Sequence, residues 1–423
     1  MTHAKYLMVG GGLASDMAAG RIRELDAQAS ITIVTREPHR PYHRPPLTKE
    51  YMQGRKQEEE VFCRKADFYQ ANRIELVAGV ATGRLDVREH RVALQDGREI
   101  GFDKCLLATG GTPRLLGLPG EDMPGVYHFR TVDDAVAVSR QAAKGRRAVL
   151  VGGGFIGMEL ASSLTQRGMD VTLVERSPHV LTRFAPTVLG DYLQQYCAAR
   201  GVSFHLSDSV KAISGNGRVA SVELESGRSV ACDLVVIAAG IDLNVALAKE
   251  AGLEVGDGVI VDEHMRTSHA DIYAAGDIAN YPDPFFDCRR RVEHWGQAEY
   301  TGQLAGANMG GAIEKYNLLT YIWTDLFDLH LEFAGKEDEF DQTVIRGPMA
   351  GNSFAVLHLK DCADSRTRLR AYYAVNYKKA QYKPLGKLIE AGADLSGRTD
   401  DLTNPAFDLG LLVEQTEAAG SKG

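Results

Sequence analysis

Gly10-Gly11-Gly12-Leu13-Ala14-Ser15 returns in outline as Gly152-Gly153-Gly154-Phe155-Ile156-Gly157. Each hexapeptide follows a short apolar run, Tyr6 to Val9 and Ala148 to Val151, and opens a stretch of helical character. A glycine turn that leads from a strand into a helix leaves backbone N–H groups uncovered at the helix N-terminus, and such a terminus holds a pyrophosphate. Two such turns imply two dinucleotides. A chain that holds two dinucleotides most simply moves a hydride from one to the other.

The repetition extends beyond the turns. A strand pair broken at Asp96-Gly97 leads into Asp103-Lys-Cys-Leu-Leu-Ala-Thr-Gly110, and a pair broken at Ser226-Gly227 leads into Asp233-Leu-Val-Val-Ile-Ala-Ala-Gly240. Each copy therefore reads as a parallel strand-helix-strand unit, an antiparallel meander and a buried return strand that ends in glycine. Pro113 and the loop from Leu118-Pro119-Gly120 to Pro124-Gly125 mark a linker between them. From about Tyr316 the composition changes, and Ser353 to Leu359 and Arg368 to Tyr377 read as strands. The fold class is thus α/β, with two Rossmann-like dinucleotide-binding domains and a C-terminal α+β domain built on an antiparallel sheet. Glu417 to Gly423 read as a frayed tail.

Composition is that of a globular enzyme: 44% apolar and 25% charged residues over 423 positions. A formal charge of −8 argues against a general nucleic-acid binder. No run of about 18 apolar residues could span a bilayer, and no basic-then-apolar leader precedes the first strand, so a cytoplasmic setting with no membrane partner is expected. The six cysteines lie at least 35 residues apart, which excludes Cys-x-x-Cys pairs and zinc spacing. His39, His43 and His294 show no metal-ligand spacing, so no metal is expected.

The ordered set of motifs resembles the FAD- and nicotinamide-dependent reductases of the glutathione-reductase fold, and among them the ferredoxin and rubredoxin reductases that serve bacterial oxygenases, relatives of apoptosis-inducing factor. The resemblance covers nearly the whole chain. It rests on the paired turns, Pro41-Tyr-His-Arg-Pro-Pro-Leu-Thr-Lys49, Ala108-Thr-Gly-Gly-Thr-Pro-Arg114, Ala274-Ala-Gly-Asp277, Glu293-His-Trp295 and Trp323-Thr-Asp325. It implies a discontinuous FAD-binding domain over 1–113 and 241–316, a nicotinamide-binding domain over 114–240 and a C-terminal reductase domain, with dimerisation-like character, over 317–423.

In that scheme the first turn takes FAD through Gly10, Gly12, Leu13, Ala14 and Ser15, where Ser15 replaces the third glycine of the fingerprint. The strand Ile31 to Thr35 is followed by Arg36 at the position matched to the family's ribose acid, with Glu37 next. Either Glu37 takes the ribose, or Arg36 stacks on the adenine or steadies the phosphates. The second turn is complete through Gly152, Gly154, Phe155, Ile156 and Gly157, and its acid is Glu175, 18 residues on. A carboxylate there accepts from the ribose hydroxyls of NADH and repels the 2′-phosphate of NADPH, so NADH is favoured, although Arg176 stands beside it.

The resemblance also places Lys49 at the flavin N5 edge and Glu159 against it and the nicotinamide amide. A cation near a flavin stabilises its reduced anion, and a carboxylate keeps that cation placed. Thr109, Gly110, Arg130, Gly276, Asp277 and Trp295 complete the implied cofactor contacts, with Asp277 on the ribitol chain at the start of a helix from Ile278 onward. Arg130 could instead be a loop arginine paired with Asp133 or Asp134, and Trp295 a core residue. Arg289-Arg290-Arg291 is the densest basic run; it is either a solvated surface or the dock for an acidic iron-sulfur carrier such as a ferredoxin or rubredoxin. Lys378, Lys379, Lys383 and Lys387 form a second basic group.

The expected activity is passage of electrons from NADH through FAD to a one-electron carrier, in support of an oxygenase. A disulfide reductase of this fold needs two close cysteines where Pro45-Pro46-Leu47 stands, and an NADH oxidase needs a flavin-side cysteine. A reductase of quinones or the ascorbyl radical, and a redox-gated interaction protein resembling apoptosis-inducing factor, share the motifs. Monomer and homodimer both remain open.

Overall fold

The computed structural model describes residues 2–420. The described residues divide into two compact units: 2–47, 56–112 and 241–318 in one, and 48–55, 113–240 and 319–420 in the other.

The first unit is built on β1 (Thr2–Val9), α1 (Leu13–Leu25) and β2 (Ile31–Thr35). Every residue of β2 is buried, as a strand covered on both faces requires. The sheet runs in the order Ile74–Ala78, β2, β1, Glu99–Leu107, Arg91–Leu94, Thr82–Asp86, and Ile272–Ala274 adds to the far side of Glu99–Leu107. The strand after Asp96-Gly97 and the return strand expected from Asp103 are one continuous element, Glu99–Leu107. Its start is antiparallel to Arg91–Leu94 and its length is parallel to β1. Helix Trp295–Met309 packs on α1 with almost no spacing. A Cβ at Gly302 or Gly306 would run into the backbone of Ala14 or Ala18, so glycine alone lets these helices approach.

One expectation fails here. Ile278 does not open a helix: Gly276–Ile278 is a single 3₁₀ turn, and Ala279–Asp283 is a strand paired with Gly258–Ile260 and Cys288–Arg290. Pro282 and the partner strands on both sides decide the outcome against the local helical pattern.

The second unit repeats the plan with β3 (Arg147–Val151), α2 (Phe155–Gln166) and β4 (Asp170–Glu175). Its parallel sheet is ordered Val202–Leu206, β4, β3, Leu234–Ile237, Val126–His128. The meander Val210–Gly215, Val219–Leu224, Ser229–Ala231 forms a separate sheet. C-terminal to these lies a five-stranded antiparallel sheet in the order Tyr321–Leu326, Leu329–Gly335, Thr367–Val375, Phe354–Asp361, Gln342–Arg346. Helix Lys379–Glu390 packs against it. The strand expected to reach Tyr377 stops at Val375, because Asn376 takes a left-handed conformation (φ +50°). The expected frayed tail is helical over Gly410–Gly420, and residues 421–423 lie outside the described residues.

Gly302→Ala is expected to force α1 and helix Trp295–Met309 apart, at a cost of about 1–3 kcal/mol typical of overpacking. Thermal unfolding should report a lowered Tm, and the variant should lose its bound nucleotide more readily than wild type; an unchanged Tm would contradict the close approach.

Candidate functional site

In each turn the three glycines have different reasons for being glycine. Gly10 and Gly152 sit at φ +118° and +110°, which side chains rarely adopt. A Cβ at Gly11 would collide with the Thr35 side chain, and one at Gly153 would press on Glu175 at 3.1 Å. Gly12 and Gly154 have ordinary φ values of −85° and −76°, and an added Cβ meets nothing within 4 Å. Neither strain nor packing accounts for them. Open space lies at both positions, each at the N-cap of its helix, where the first-turn N–H groups lack intrahelical partners. A phosphate that must approach the backbone closely fits that space, so the residues fit a dinucleotide at each turn.

The third position separates the copies. A Cβ at Gly157 would strike the Gly152 carbonyl oxygen, whereas Ser15 carries a side chain at the matching position. Ser15 is fully buried (0% exposed), and its hydroxyl has no hydrogen-bond partner among the described residues. The first turn is therefore not a rigid duplicate of the second.

The strand-end acid also changes register. Gly10 N–H donates to Val34 and Gly152 N–H to Val174, which matches Val34 with Val174 and makes Thr35, not Arg36, the counterpart of Glu175. Glu175 Oε2 accepts from Gly153 N–H at 2.6 Å and Oε1 from Ser177 N–H at 2.8 Å, so its carboxylate lies against the turn. Arg36 is exposed and reaches the Thr112 hydroxyl at 3.1 Å. Glu37 accepts from Tyr42 Oη at 2.5 Å and from Arg44 at 3.2 Å. Burial works against the charge on Arg44, but Tyr42, Glu37 and Asp277 outweigh it and hold the guanidinium's pKa above its usual value.

Other expected contacts group by unit. In the first, Gly276 sits at φ +72° beside Ala14, and its N–H donates to the Thr301 hydroxyl at 3.0 Å. The Thr109 hydroxyl donates to the Asn244 carbonyl at 2.6 Å, and the Asn244 amide returns a bond to the Thr109 carbonyl at 2.9 Å, which fixes the turn through Gly110. Trp295 Nε1 donates to His43 Nδ1 at 3.0 Å, with Cys63 Sγ 3.9 Å from the same nitrogen. Burial and the nearby Asp16 push the Cys63 thiol up, so this cysteine stays protonated and does not act as a thiolate.

The basic run is largely spent on internal partners. Arg289 donates to the Asn280 side chain at 3.1 Å and to the carbonyls of Asn280 and Val261, Arg290 pairs with Asp283 at 3.3 Å, and Arg291 pairs with Asp257 at 2.9 Å and Glu293 at 2.6 Å. Two of the three charges read along the sequence, those of Arg290 and Arg291, are compensated by acids in three dimensions, whereas the partners of Arg289 are neutral.

In the second unit, Lys49 is 5% exposed and Glu159 8%. Lys49 Nζ lies 3.1 Å from Glu159 Oε1, 3.5 Å from Asp325 Oδ2 and 3.7 Å from the centroid of the Trp323 ring. Glu159 also accepts from the Thr48 hydroxyl at 2.5 Å and the Thr324 hydroxyl at 2.6 Å. Lys49 is held there because its segment is stitched to α2: Ser163 donates to the Thr48 carbonyl, Gln53 to Ser163, and Arg167 to the Met52 carbonyl. Arg130 gives its backbone N–H to Asp134 at the start of helix Val132–Gln141.

Sequence reasoning missed Arg44, Thr48, Thr324 and Asp325 as members of these clusters, and with them His330, whose Nδ1 lies 2.7 Å from Asp325 Oδ1. Arg44, Thr48, Thr324 and Asp325 stood inside the motifs Pro41 to Lys49 and Trp323 to Asp325, where only the neighbouring Lys49 and Trp323 signalled them.

Residues 4–302 match the family model of the pyridine nucleotide-disulphide oxidoreductases, and residues 321–413 that of the reductase C-terminal domain. The chain is 35% identical over 93% of its length to the ferredoxin–NAD(+) reductase component of the anthranilate 1,2-dioxygenase system of Burkholderia cepacia, covering 96% of that protein. It is 32% identical over 89% of its length to a rubredoxin–NAD(+) reductase of Pseudomonas putida, again covering 96%. Among solved structures, it superposes on the reductase of a covalent putidaredoxin reductase–putidaredoxin complex with a TM-score of 0.92 at 27% identity, over 99% of this chain and 100% of that one.

His43 yields a pH prediction. Burial foremost, with Lys56 and Arg64, lowers its pKa below the ordinary value of 6.5. The unfolded chain then binds the proton more readily, so stability is present above about pH 6.5 and lost as pH falls through the folded value. Thermal unfolding between pH 5 and 7 should show that loss in wild type and a shallower slope in His43→Gln; equal slopes would contradict the assignment.

Proposed function

The chain belongs to the pyridine nucleotide-disulphide oxidoreductase family, and we propose that it carries electrons from NADH through FAD to a one-electron iron-sulfur protein, a ferredoxin or rubredoxin, that feeds an oxygenase. The observation that carries this reading is the pair of open glycines, Gly12 and Gly154, one at each helix N-terminus: two dinucleotide cradles in one chain. The two near-full-length reductase relatives support the choice of acceptor.

FAD, when bound, accepts two electrons as a hydride and returns them one at a time. The N–H groups that open α1 would hold its pyrophosphate, with Gly10 and Gly12 giving close approach. Thr109, Gly110 and Asp277 would hold the ribityl segment. The group Glu37, Tyr42 and Arg44 would stand in for the strand-end acid that the first copy lacks. On the second unit the N–H groups of α2 would hold the pyrophosphate of NADH, and Glu175 would turn from its backbone partners to the ribose hydroxyls. A 2′-phosphate would meet that carboxylate as a like charge. Lys49 would present a cation to the flavin N5 edge, and Glu159 keeps the cation in place.

Disulfide chemistry finds no support. All six cysteines are free thiols, and the one beside Trp295 is held protonated. For docking of an acidic carrier, Arg290 and Arg291 bring little uncompensated charge, so we assign the steering to Arg289 and to the exposed Lys378, Lys379 and Lys383.

Anaerobic mixing with NADH should bleach the flavin band, and a ferredoxin or rubredoxin should restore it within a catalytic turnover; indifference to every carrier tested would overturn the acceptor class. Lys49→Ala and Glu159→Ala should each slow reduction by NADH about tenfold or more while flavin stays bound. Glu175→Ala should narrow the preference for NADH over NADPH in kcat/KM, and unchanged selectivity would move the discrimination to Arg176.

A further inference from the structure

Asp325 is shared between two cations. Its Oδ2 lies 3.5 Å from Lys49 Nζ, and its Oδ1 lies 2.7 Å from Nδ1 of His330. The other carboxylate on Lys49 has no such freedom, because Glu159 is already fixed by the Thr48 and Thr324 hydroxyls. Exposure follows the same direction: the Lys49 side chain is 6% exposed, whereas those of Asp325 and His330 are 42% and 48%. A buried ammonium is therefore connected to solvent through one carboxylate and one imidazole.

We propose that His330 is a positioning residue whose charge sets the electrostatic field at Lys49, and through it the ease with which the flavin accepts electrons. The inference rests on the reading that Lys49 serves the flavin. With His330 neutral, Lys49, Glu159 and Asp325 together carry one net negative charge. With His330 protonated, the cluster is neutral, and Asp325 has a second cation to satisfy. A hydride brings two electrons and one proton to the ring, and the reduced form carries a negative charge. The protonated state of His330 therefore favours reduction and the neutral state opposes it.

The surroundings of His330 favour its charged form. The bond to Asp325 raises its pKa above the usual value, with burial opposing and Glu332 on its own strand assisting. Lys49 opposes from its own segment, and the Trp323 ring lies 6.5 Å away, inclined by 28°. Behind Glu332 stand the Tyr372 hydroxyl at 2.9 Å, Tyr382 and Lys379. The backbone of His330 is tied to Asn376, whose side chain accepts its N–H at 2.7 Å, so the ring titrates on a fixed strand.

The test is a reductive titration of the flavin-loaded protein from pH 5.5 to 8.5, with dye-equilibrated midpoint potentials, in wild type, His330→Gln and His330→Arg. The potential of wild type should show an inflection that coincides with the His330 pKa measured by NMR. His330→Gln should lie on the high-pH limb throughout, and His330→Arg on the low-pH limb. At pH 8.5, reduction by NADH should be about fivefold faster in His330→Arg than in His330→Gln, the effect of one screened unit charge. Superimposed potentials for all three proteins would overturn the proposal. Lys49→Ala separates the premise from the inference: if it changes neither potential nor reduction rate, both fall; if it changes them while the His330 variants superimpose, only this inference falls.

Discussion

A buried carboxylate organises the second unit. Glu159 projects from α2 at 8% exposure, and a charge removed from water costs several kcal/mol unless it is paired and hydrogen-bonded. Its partners come from two stretches remote in sequence: Thr48 and Lys49 from a segment more than a hundred residues upstream, and Thr324 from the first strand of the C-terminal sheet. Together these stretches satisfy both oxygens of Glu159 and give the Lys49 ammonium a carboxylate. The segment carrying Lys49 is therefore part of the second unit, although the residues on both sides of it belong to the first.

The two glycine turns solve the same backbone problem with different chemistry at the strand end. In the second, Glu175 returns to the turn and accepts from Gly153, which keeps a carboxylate against the glycines. In the first, Thr35 occupies that place, and a Cβ at Gly11 would strike it. Negative charge is supplied two residues later by Glu37, but only in company with Tyr42 and Arg44. Arg44 in turn feels Asp277, so the charge that follows this strand sits in a network rather than on a single side chain. Such a network is more rigid than a lone carboxylate, because each member restrains its neighbour's geometry.

Both turns, both parallel sheets and the C-terminal antiparallel sheet were legible because strands buried on both faces leave apolar runs that no loop would tolerate. The errors arose where long-range contacts overrule local pattern. Ala279–Asp283 follows a helix-like start at Ile278, yet Pro282 interrupts that pattern and strands on both sides recruit the segment. Arg289 to Arg291 look like a surface patch in one dimension, but Asp283 neutralises Arg290, and Asp257 and Glu293 neutralise Arg291, from positions that spacing does not reveal. Thr35 was missed as the counterpart of Glu175 because the helix-to-strand connection differs in length between the copies, and only the hydrogen bonds of Gly10 and Gly152 set the register.

The pair of carboxylates around Lys49 also explains why one lysine can be both fixed and adjustable. Glu159 is saturated by two hydroxyls and one ammonium, all in surroundings that exclude water, so its position does not respond to the solvent. Asp325 makes the longer contact with Lys49, retains exposure and has an imidazole for its second partner. Burial alone would raise the Asp325 pKa, but His330 and Lys49 hold it below the ordinary carboxylate value, so it remains charged across the range in which His330 titrates. A constant anion beside a variable cation transmits charge without itself changing state. The ammonium is thus anchored on its buried side and biased from its exposed side.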